Sequence, residues 1–321
     1  MTDLAIMTRA VFVLGMLLPV VCACGTAAPI ATVSFGGDVD TIEVAGIDEC
    51  DSEASAELSI DPDQPLVVIV HGCNASGGRF RALAQVFEAH DQQTVCFNYD
   101  DRESMDETSA ELRRALVALE EHMVSQPITV LGHSQGGLVS RRALIDRPSA
   151  EQLGEPGLKY RLVTVSSPFD GIAASSHCSL IGMHIATLGV SALLCQLIAG
   201  DKWDEIHPDA TFMRQPGELV GGVDEHLVIV TDERNTCRRH DEDGECVEDD
   251  FVFSVAEQRN EVIEQDERVE DVDVKAGHVE IVGSAGEAPT KLIDLLQEKG
   301  VLAPTPEDQR EEIAALLRTL F

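Results

Sequence analysis

One serine lies in a pattern that can support nucleophilic chemistry. The residues Gly132-His133-Ser134-Gln135-Gly136-Gly137 match G-x-S-x-G, the turn that joins a buried strand to a helix. Such a turn is sharp and strained, and the positions two before and two after the serine are too crowded for a Cβ, so both are glycine here. The helix that follows directs its first amides and its dipole at charge developing near the serine. We predict that Ser134 is a nucleophile.

A serine nucleophile needs a general base, and His278 is the best of the ten histidines. It lies in Gly277-His278-Val279-Glu280, after the last strand-like run and before a late helix, where a base that follows its serine in chain order is expected. The other histidines near motifs have structural explanations. We expect His71 to brace a loop, His133 to pack behind the serine and His240 to be solvated.

The base needs an acid, which accepts a hydrogen bond from its second nitrogen and fixes the tautomer. Chain order places this acid between Ser134 and His278. We favour Asp250, which opens a loop leading into apolar residues. Asp249 and Asp232 are alternatives, and Asp170 is a more distant one. The other acids of 241–250 are expected to form a solvated charge run, and because their glycine spacing does not match an EF-hand we predict no metal site.

A second loop is expected to help stabilise the oxyanion. His71-Gly72-Cys73-Asn74 ends the first buried run, and we predict that the backbone amides of Cys73 and Gln135 form the oxyanion hole. Only the backbone of Cys73 is recruited, so its side chain remains available for a disulfide with Cys50 or Cys96. This chemistry needs no cofactor.

The elements that must position these residues alternate along the chain. Continuous apolar runs predict strands buried on both faces, and apolar residues at helical spacing lie between them. This order predicts an α/β fold with a mostly parallel, doubly wound sheet covered by helices on both faces. Residues 32–44 are expected to add antiparallel edge strands, and Ser104 with Glu107 resembles a helix capping box. The predicted strands are 66–70, 94–99, 128–131, 162–165, 227–230 and a weaker 272–274.

Two stretches interrupt this alternation. A lid-like insertion is predicted at about 172–223, and its segment 179–200 is almost wholly apolar. A charged insertion bracketed by two cysteines is predicted at about 233–249. We expect disulfides Cys178–Cys195 and Cys237–Cys246, while Cys50, Cys73 and Cys96 supply one bridge and one thiol.

The start of the chain and its charge bear on location and partners. Arg9, an apolar run at 10–22 and small residues after it predict an export signal at 1–23, which leaves 24–321 as a single domain. Three readings stay open: a lipoprotein anchored at Cys24, a secreted protein, or an uncleaved anchor. With 57 acidic and 23 basic residues the formal net charge is -34, which excludes a nucleic-acid binder that tracks phosphates. The oligomeric state is left open.

Together these motifs resemble the α/β-hydrolase family, particularly bacterial lipases and the lipase-like domain of GPI inositol-deacylases. The resemblance rests on residues 65–74, 131–137, 163–171, 250–258 and 277–278. It implies an α/β-hydrolase fold and an exported serine hydrolase that cleaves carboxylic esters, with lipid or acyl esters as substrates and Ser134, His278 and Asp250 as the triad. The alternatives are an acyltransferase or thioesterase with the same triad, and a non-catalytic envelope lipoprotein that kept the fold.

Overall fold

The structure is a computed structural model, and it describes residues 40–50, 57–73, 75–124, 126–147, 153–154, 158–172, 205–241, 243–284 and 286–321. All of them belong to one compact unit. The predicted export signal, the apolar segment 179–200 and the Cys178–Cys195 pair lie outside these residues. No helix within them is both long and apolar enough to cross a membrane.

A seven-stranded sheet forms the centre of the fold, in the order β11-β8-β7-β6-β4-β5-β2. All neighbouring strands run parallel except β2, which pairs antiparallel with β5 at one edge. The weak sixth run of the sequence is the opposite edge strand, β11. The strands of the sheet are β2 (Ile47–Asp48), β4 (Leu66–Val70), β5 (Gln93–Phe97), β6 (Ile128–His133), β7 (Tyr160–Val165), β8 (Val223–Thr231) and β11 (Val269–Val274).

Helices cover both faces of the sheet, because its central strands are apolar on both sides. Along β4, the side chains of Leu66, Val68 and Val70 belong to one core and those of Val67 and Ile69 to the other. Helices α2 and α3 pack into the first core, and α1, α4 and α5 into the second. The helices are α1 (Arg81–Glu88), α2 (Met105–Glu120), α3 (Gln135–Ala143), α4 (Thr290–Glu298) and α5 (Arg310–Leu320).

Short elements complete the described chain. Single helical turns occur at Thr211–Arg214, Val255–Gln258 and Glu261–Glu264, and 3-10 turns at Gly77–Phe80, Glu280–Val282 and Glu307–Gln309. Two antiparallel ribbons lie apart from the main sheet. One pairs β1 (Asp40–Ile42) with β3 (Leu58–Ile60), and the other pairs β9 (Cys237–His240) with β10 (Cys246–Asp249). The second ribbon is the predicted charged insertion.

The disulfide pattern agrees with the sequence where it is described. Cys237 and Cys246 are bridged across the charged ribbon, as predicted, and a second bridge joins Cys50 to Cys96. Of the three cysteines Cys50, Cys73 and Cys96, Cys73 is therefore the one outside a disulfide, and its side chain is exposed.

The predicted capping box at the start of α2 is wrong. The Ser104 side chain does not accept from its own helix; its hydroxyl donates instead to Oε1 of Glu205, 2.7 Å away. The other carboxylate oxygen of Glu205 accepts from the amide of Met105 at 2.6 Å. A residue about a hundred positions downstream thus accepts from the first amide of this helix and occupies the Ser104 hydroxyl, because tertiary contacts bring a charged acceptor to this helix end.

Candidate active site

Ser134 lies on the turn between β6 and α3, in the conformation that the motif requires. Its φ of 58° and ψ of -127° are rare for a residue with a side chain. The turn is held in the sheet register, because the Ser134 amide donates to the carbonyl of Val165 at 2.9 Å. A buried, strained serine at the carboxyl end of a central strand is the arrangement that raises its hydroxyl above the sheet edge.

The glycines of the motif are required by close backbone contacts. A Cβ on Gly132 would lie 2.5 Å from the carbonyl oxygen of Gly136, closer than any real contact. Gly72, in the loop after β4, is similarly pressed against the serine, since a Cβ there would lie 2.8 Å from Cβ of Ser134. Strands β4 and β6 are neighbours where the strand order reverses, the point at which α/β sheets bind ligands.

His278 lies beside this turn, on the loop after β11. Its ring centroid is 4.8 Å from that of His133, the residue before the nucleophile, and its side chain is buried. Phe253 packs edge-on against the same imidazole at 4.9 Å. The Nδ1 atom is 2.9 Å from Oε1 of Glu233. With its proton on Nδ1 facing a carboxylate, the imidazole keeps a lone pair on Nε2 for accepting a proton.

Glu233 is buried and surrounded by hydrogen-bond donors. Its Oε1 accepts from Ser166 at 2.7 Å and from Thr231 at 3.0 Å, as well as from His278. Its Oε2 accepts from the backbone amides of Val252 and Phe253 at 2.5 and 2.8 Å. Burial by itself raises the pKa of Glu233, but the hydrogen bond and charge of His278 and the two amides lower it further, so the net pKa lies below its usual range. The carboxylate is therefore held ionised and in one orientation.

Ser166 joins the acid to the base. It directly follows β7, has a φ of 54°, and its side chain is fully buried. Its hydroxyl donates to Glu233 and also lies 3.1 Å from Nδ1 of His278. A neutral hydroxyl in contact with both groups helps to hold the carboxylate and the imidazole in register.

The structure places Asp250, the acid favoured from the sequence, against the backbone of His278 and not against its ring. The Asp250 Oδ2 atom accepts from the amides of Val279 and Glu280, both at 2.9 Å, and Oδ1 faces the guanidinium of Arg238. This assignment is corrected because the β9–β10 ribbon ends with Asp250 pointing under the histidine loop, while Glu233 reaches the imidazole from the end of β8.

The alternative acids also lie away from the imidazole. Asp232 pairs with Arg234 and Lys275 near the surface, and its pKa lies below the usual range because Arg234 hydrogen-bonds to it. Asp249 and Asp170 are exposed. None of the acids proposed from the sequence occupies the position that Glu233 takes.

The loop expected to form the oxyanion hole lies next to the nucleophile. His71 braces it, as predicted: Nδ1 is 2.9 Å from the carbonyl of Gly72, and the ring stacks on Tyr99 at 4.3 Å. Tyr99 in turn donates its hydroxyl to the carbonyl of His71 at 2.7 Å. Gly72, the residue before Cys73, lies against the Ser134 turn, and Gln135 is the first residue of α3.

His133 has a structural role consistent with its packing prediction. Its Nε2 donates to the carbonyl of His278 at 2.9 Å, which ties the nucleophile turn to the histidine loop. Burial and the neighbouring His278 ring keep the pKa of His133 well below its usual range, so the ring is neutral. His240, on the charged ribbon, is exposed as expected.

Sequence reasoning missed Glu233 and Ser166. One signal was available for Glu233, which lies two residues after the end of β8, where side chains reach the carboxyl edge of a parallel sheet. The family pattern and the acid-rich ribbon pointed instead to the aspartates that follow. Within the described residues, no group of three or more His, Cys, Asp or Glu side chains is placed to hold a metal ion.

Comparison with known proteins agrees with this architecture. Residues 65–150 match the family model described as alpha/beta hydrolase fold. The chain has the α/β-hydrolase fold. The predicted fold class and the predicted resemblance to α/β hydrolases are confirmed, on a sheet of seven strands in which only β2 is antiparallel.

Several solved structures are similar to this chain. The propeptide form of lipase BlEst2 from Bacillus licheniformis is 16% identical with a TM-score of 0.50, over 73% of this chain and 51% of that one. Its mature form is 14% identical with a TM-score of 0.47, over 74% and 93%. An esterase of Pyrococcus furiosus is 15% identical with a TM-score of 0.43, over 82% and 91%. No curated protein matches the sequence.

Proposed function

We propose that this protein is a serine hydrolase that cleaves carboxylic esters through Ser134, His278 and Glu233. The observation that carries the proposal is the 2.9 Å contact between Nδ1 of His278 and the buried carboxylate of Glu233, beside a strained elbow serine. A hydroxyl on a turn alone is a weak nucleophile. A buried imidazole oriented by an ionised acid is the group that activates it.

In the proposed reaction, each of these three side chains has one role. The Oγ atom of Ser134 attacks the ester carbonyl carbon while Nε2 of His278 takes the hydroxyl proton, and Glu233 stabilises the imidazolium. The imidazolium returns the proton to the leaving alcohol as the C–O bond breaks, which leaves an acyl group on Ser134. Water, deprotonated by the same imidazole, then releases the carboxylic acid and restores the serine.

We assign the oxyanion hole to the backbone amides of Cys73 and Gln135. Gly72 lies against Ser134, which supports a donor from the residue that follows it, and Gln135 begins a helix of nine residues whose amino end faces the serine. Cys73 is not engaged in a disulfide, so this loop is not tied to Cys50 or Cys96.

For the substrate we propose esters with an apolar acyl group. Val252 donates its amide to Glu233 while its side chain stays 43% exposed, and its neighbour Phe251 is 49% exposed. Exposed apolar side chains next to a buried catalytic acid favour an apolar substrate over a charged one. The net charge of -34 favours a neutral acyl group in the same way.

A fluorophosphonate probe tests the nucleophile directly. We expect the wild type to be labelled, and the Ser134→Ala variant not to be. The matched control is Ser109→Ala, which removes a buried hydroxyl in α2 that bonds only within its helix. Equal labelling of wild type and Ser134→Ala would contradict the proposal.

A substrate panel then tests the reaction class. p-Nitrophenyl acetate, butyrate and palmitate report the preferred acyl length, and a matched p-nitroanilide reports whether amides are cleaved. Adding an alcohol acceptor separates hydrolysis from acyl transfer, because an acyltransferase yields the new ester in place of the free acid. Turnover of none of the esters by a protein whose Ser134 is labelled would exclude ester hydrolysis.

A further inference from the structure

Asp250 is buried, and the hydrogen bonds of its carboxylate go to the histidine loop and to one arginine. Its backbone carbonyl accepts from the amide of His278 at 3.0 Å. Its side-chain Oδ2 accepts from the next two amides, those of Val279 and Glu280, at 2.9 Å each. A single residue thus binds three consecutive amides, which fixes the backbone of the histidine loop from His278 to Glu280.

Close packing leaves this contact no freedom. Gly277 lies directly on the carboxyl group, so that a Cβ at this position would be 2.7 Å from Cβ and Cγ of Asp250. The histidine loop therefore approaches Asp250 as closely as a glycine backbone can. A shift of Asp250 must move the loop, because there is no gap to absorb it.

The negative charge of Asp250 is paired with an arginine of the β9–β10 ribbon, which a disulfide closes. Arg238, in β9, places Nε and Nη2 at 3.1 and 3.0 Å from Oδ1. The guanidinium is about one-third exposed, whereas the carboxylate is 1% exposed. The ribbon that carries Arg238 is closed by the disulfide Cys237–Cys246, so this disulfide restrains the arginine that binds Asp250.

We propose that Asp250, held by Arg238, is a positioning residue for His278: it sets the imidazole against Glu233 without touching the reacting atoms. This inference rests on the proposed function. Its physical basis is that proton transfer requires the imidazole within hydrogen-bond distance of both partners, and that the backbone contacts of the loop set the position from which the ring reaches them.

The Asp250→Asn variant is the central test. It keeps the size of the side chain but removes the charge that pairs with Arg238 and weakens the contacts to two amides. We expect kcat for p-nitrophenyl butyrate to fall about 10- to 100-fold with little change in KM, the cost of a base displaced by about an ångström. The matched control is Asp243→Asn, an exposed acid at the tip of the same ribbon, which should behave as wild type.

Two further readouts separate positioning from a purely structural role. Hydrogen exchange of the segment 278–280 should become faster, while that of α2 stays unchanged. An Arg238→Lys variant retains the charge and should therefore keep more activity than Arg238→Gln, although it loses the two-nitrogen contact to the Asp250 carboxylate.

The outcomes are distinct. A wild-type kcat together with wild-type hydrogen exchange of 278–280 in Asp250→Asn would overturn the inference. So would an Asp250→Asn enzyme as inactive as Glu233→Gln, or an active Glu233→Gln, because Asp250 would then act as the acid itself. If Ser134 is not labelled in the wild type, the proposed function fails. The exchange of 278–280 still decides whether Asp250 holds this loop, and Arg238→Lys against Arg238→Gln gives the same comparison if Asp250→Asn does not fold.

Discussion

Two buried acidic residues contact the loop of His278 in different ways. Glu233 meets the imidazole ring and is otherwise surrounded by hydroxyls and amides. Asp250 meets the backbone and is paired with a guanidinium. A carboxylate already neutralised by arginine has less charge left to stabilise an imidazolium. Both carboxylates are buried and close to His278, so these two properties do not distinguish them; what distinguishes them is that one contacts the ring and the other the backbone.

The largest effect that tests this comparison is expected from Glu233→Gln. The glutamine keeps the shape but removes the charge that stabilises the imidazolium and fixes its tautomer, so we expect kcat to fall about 10⁴-fold. Steady-state kinetics on p-nitrophenyl butyrate measure it, and the exposed Glu245→Gln on the ribbon is the control. A Glu233→Gln enzyme more active than Asp250→Asn would reverse the two roles.

The two disulfides among the described residues should affect different properties, one mainly the stability of the fold and the other mainly the position of the histidine loop. In the chain-entropy view, the Cys50–Cys96 bridge spans 46 residues and contributes about 4 kcal/mol, and the Cys237–Cys246 bridge spans 9 and contributes about 2.5 kcal/mol. We expect the Cys50→Ala/Cys96→Ala pair to lower the unfolding midpoint more. The Cys237→Ala/Cys246→Ala pair should slow labelling of Ser134 more, because it loosens the ribbon that carries Arg238.

Urea unfolding checks the first prediction. The rate of fluorophosphonate labelling, corrected for the fraction of folded protein, checks the second. If removal of Cys237–Cys246 leaves the labelling rate at the wild-type value, the ribbon does not restrain the histidine loop.

A smaller effect is expected from Ser166→Ala, on the Glu233 side of the histidine. A hydrogen bond to a charged group contributes about 1.5–3 kcal/mol, so the lost hydroxyl should reduce kcat by about 10- to 100-fold without abolishing activity. The Ser109→Ala variant is again the control. Unchanged kinetics in Ser166→Ala would mean that the remaining donors to Glu233 suffice to orient it.

The smallest effect concerns stability against pH, away from both carboxylates. His226 is fully buried, and burial together with the nearby charge of Arg141 keeps its pKa well below the usual range. Below about pH 6.5 the unfolded chain binds a proton that the folded protein excludes. Stability should therefore fall as pH decreases, by about 1.4 kcal/mol per pH unit for this group, until pH reaches the depressed pKa.

Urea unfolding of His226→Gln at several pH values checks this slope. In this variant the free energy of unfolding should change less steeply with pH, by the amount that the uptake of about one proton on unfolding contributes. The His240→Gln variant, which alters an exposed histidine, should keep the wild-type slope. A wild-type slope in His226→Gln would mean that His226 accepts its proton in the folded state.

Much of the fold was predictable because its signals are local. The run Leu66–Val70 is apolar at every position, which only burial on both faces explains, and the structure places alternate residues in two cores. The weak run at 272–274 is an edge strand, which needs less apolar character. The cap of α2 was not predictable, because Glu205 reaches it from a remote segment.

The sequence by itself determined the nucleophile turn, because the demand for glycine on both sides of Ser134 is written within five residues. It also indicated the loop of His278, through chain order. Only the tertiary structure decided which carboxylate faces the imidazole. Glu233 and Asp250 are 17 positions apart along the chain. The fold of the ribbon between them brings Glu233 to the ring of His278 and Asp250 to the backbone of its loop. Tertiary packing decides this, and no local sequence pattern encodes it.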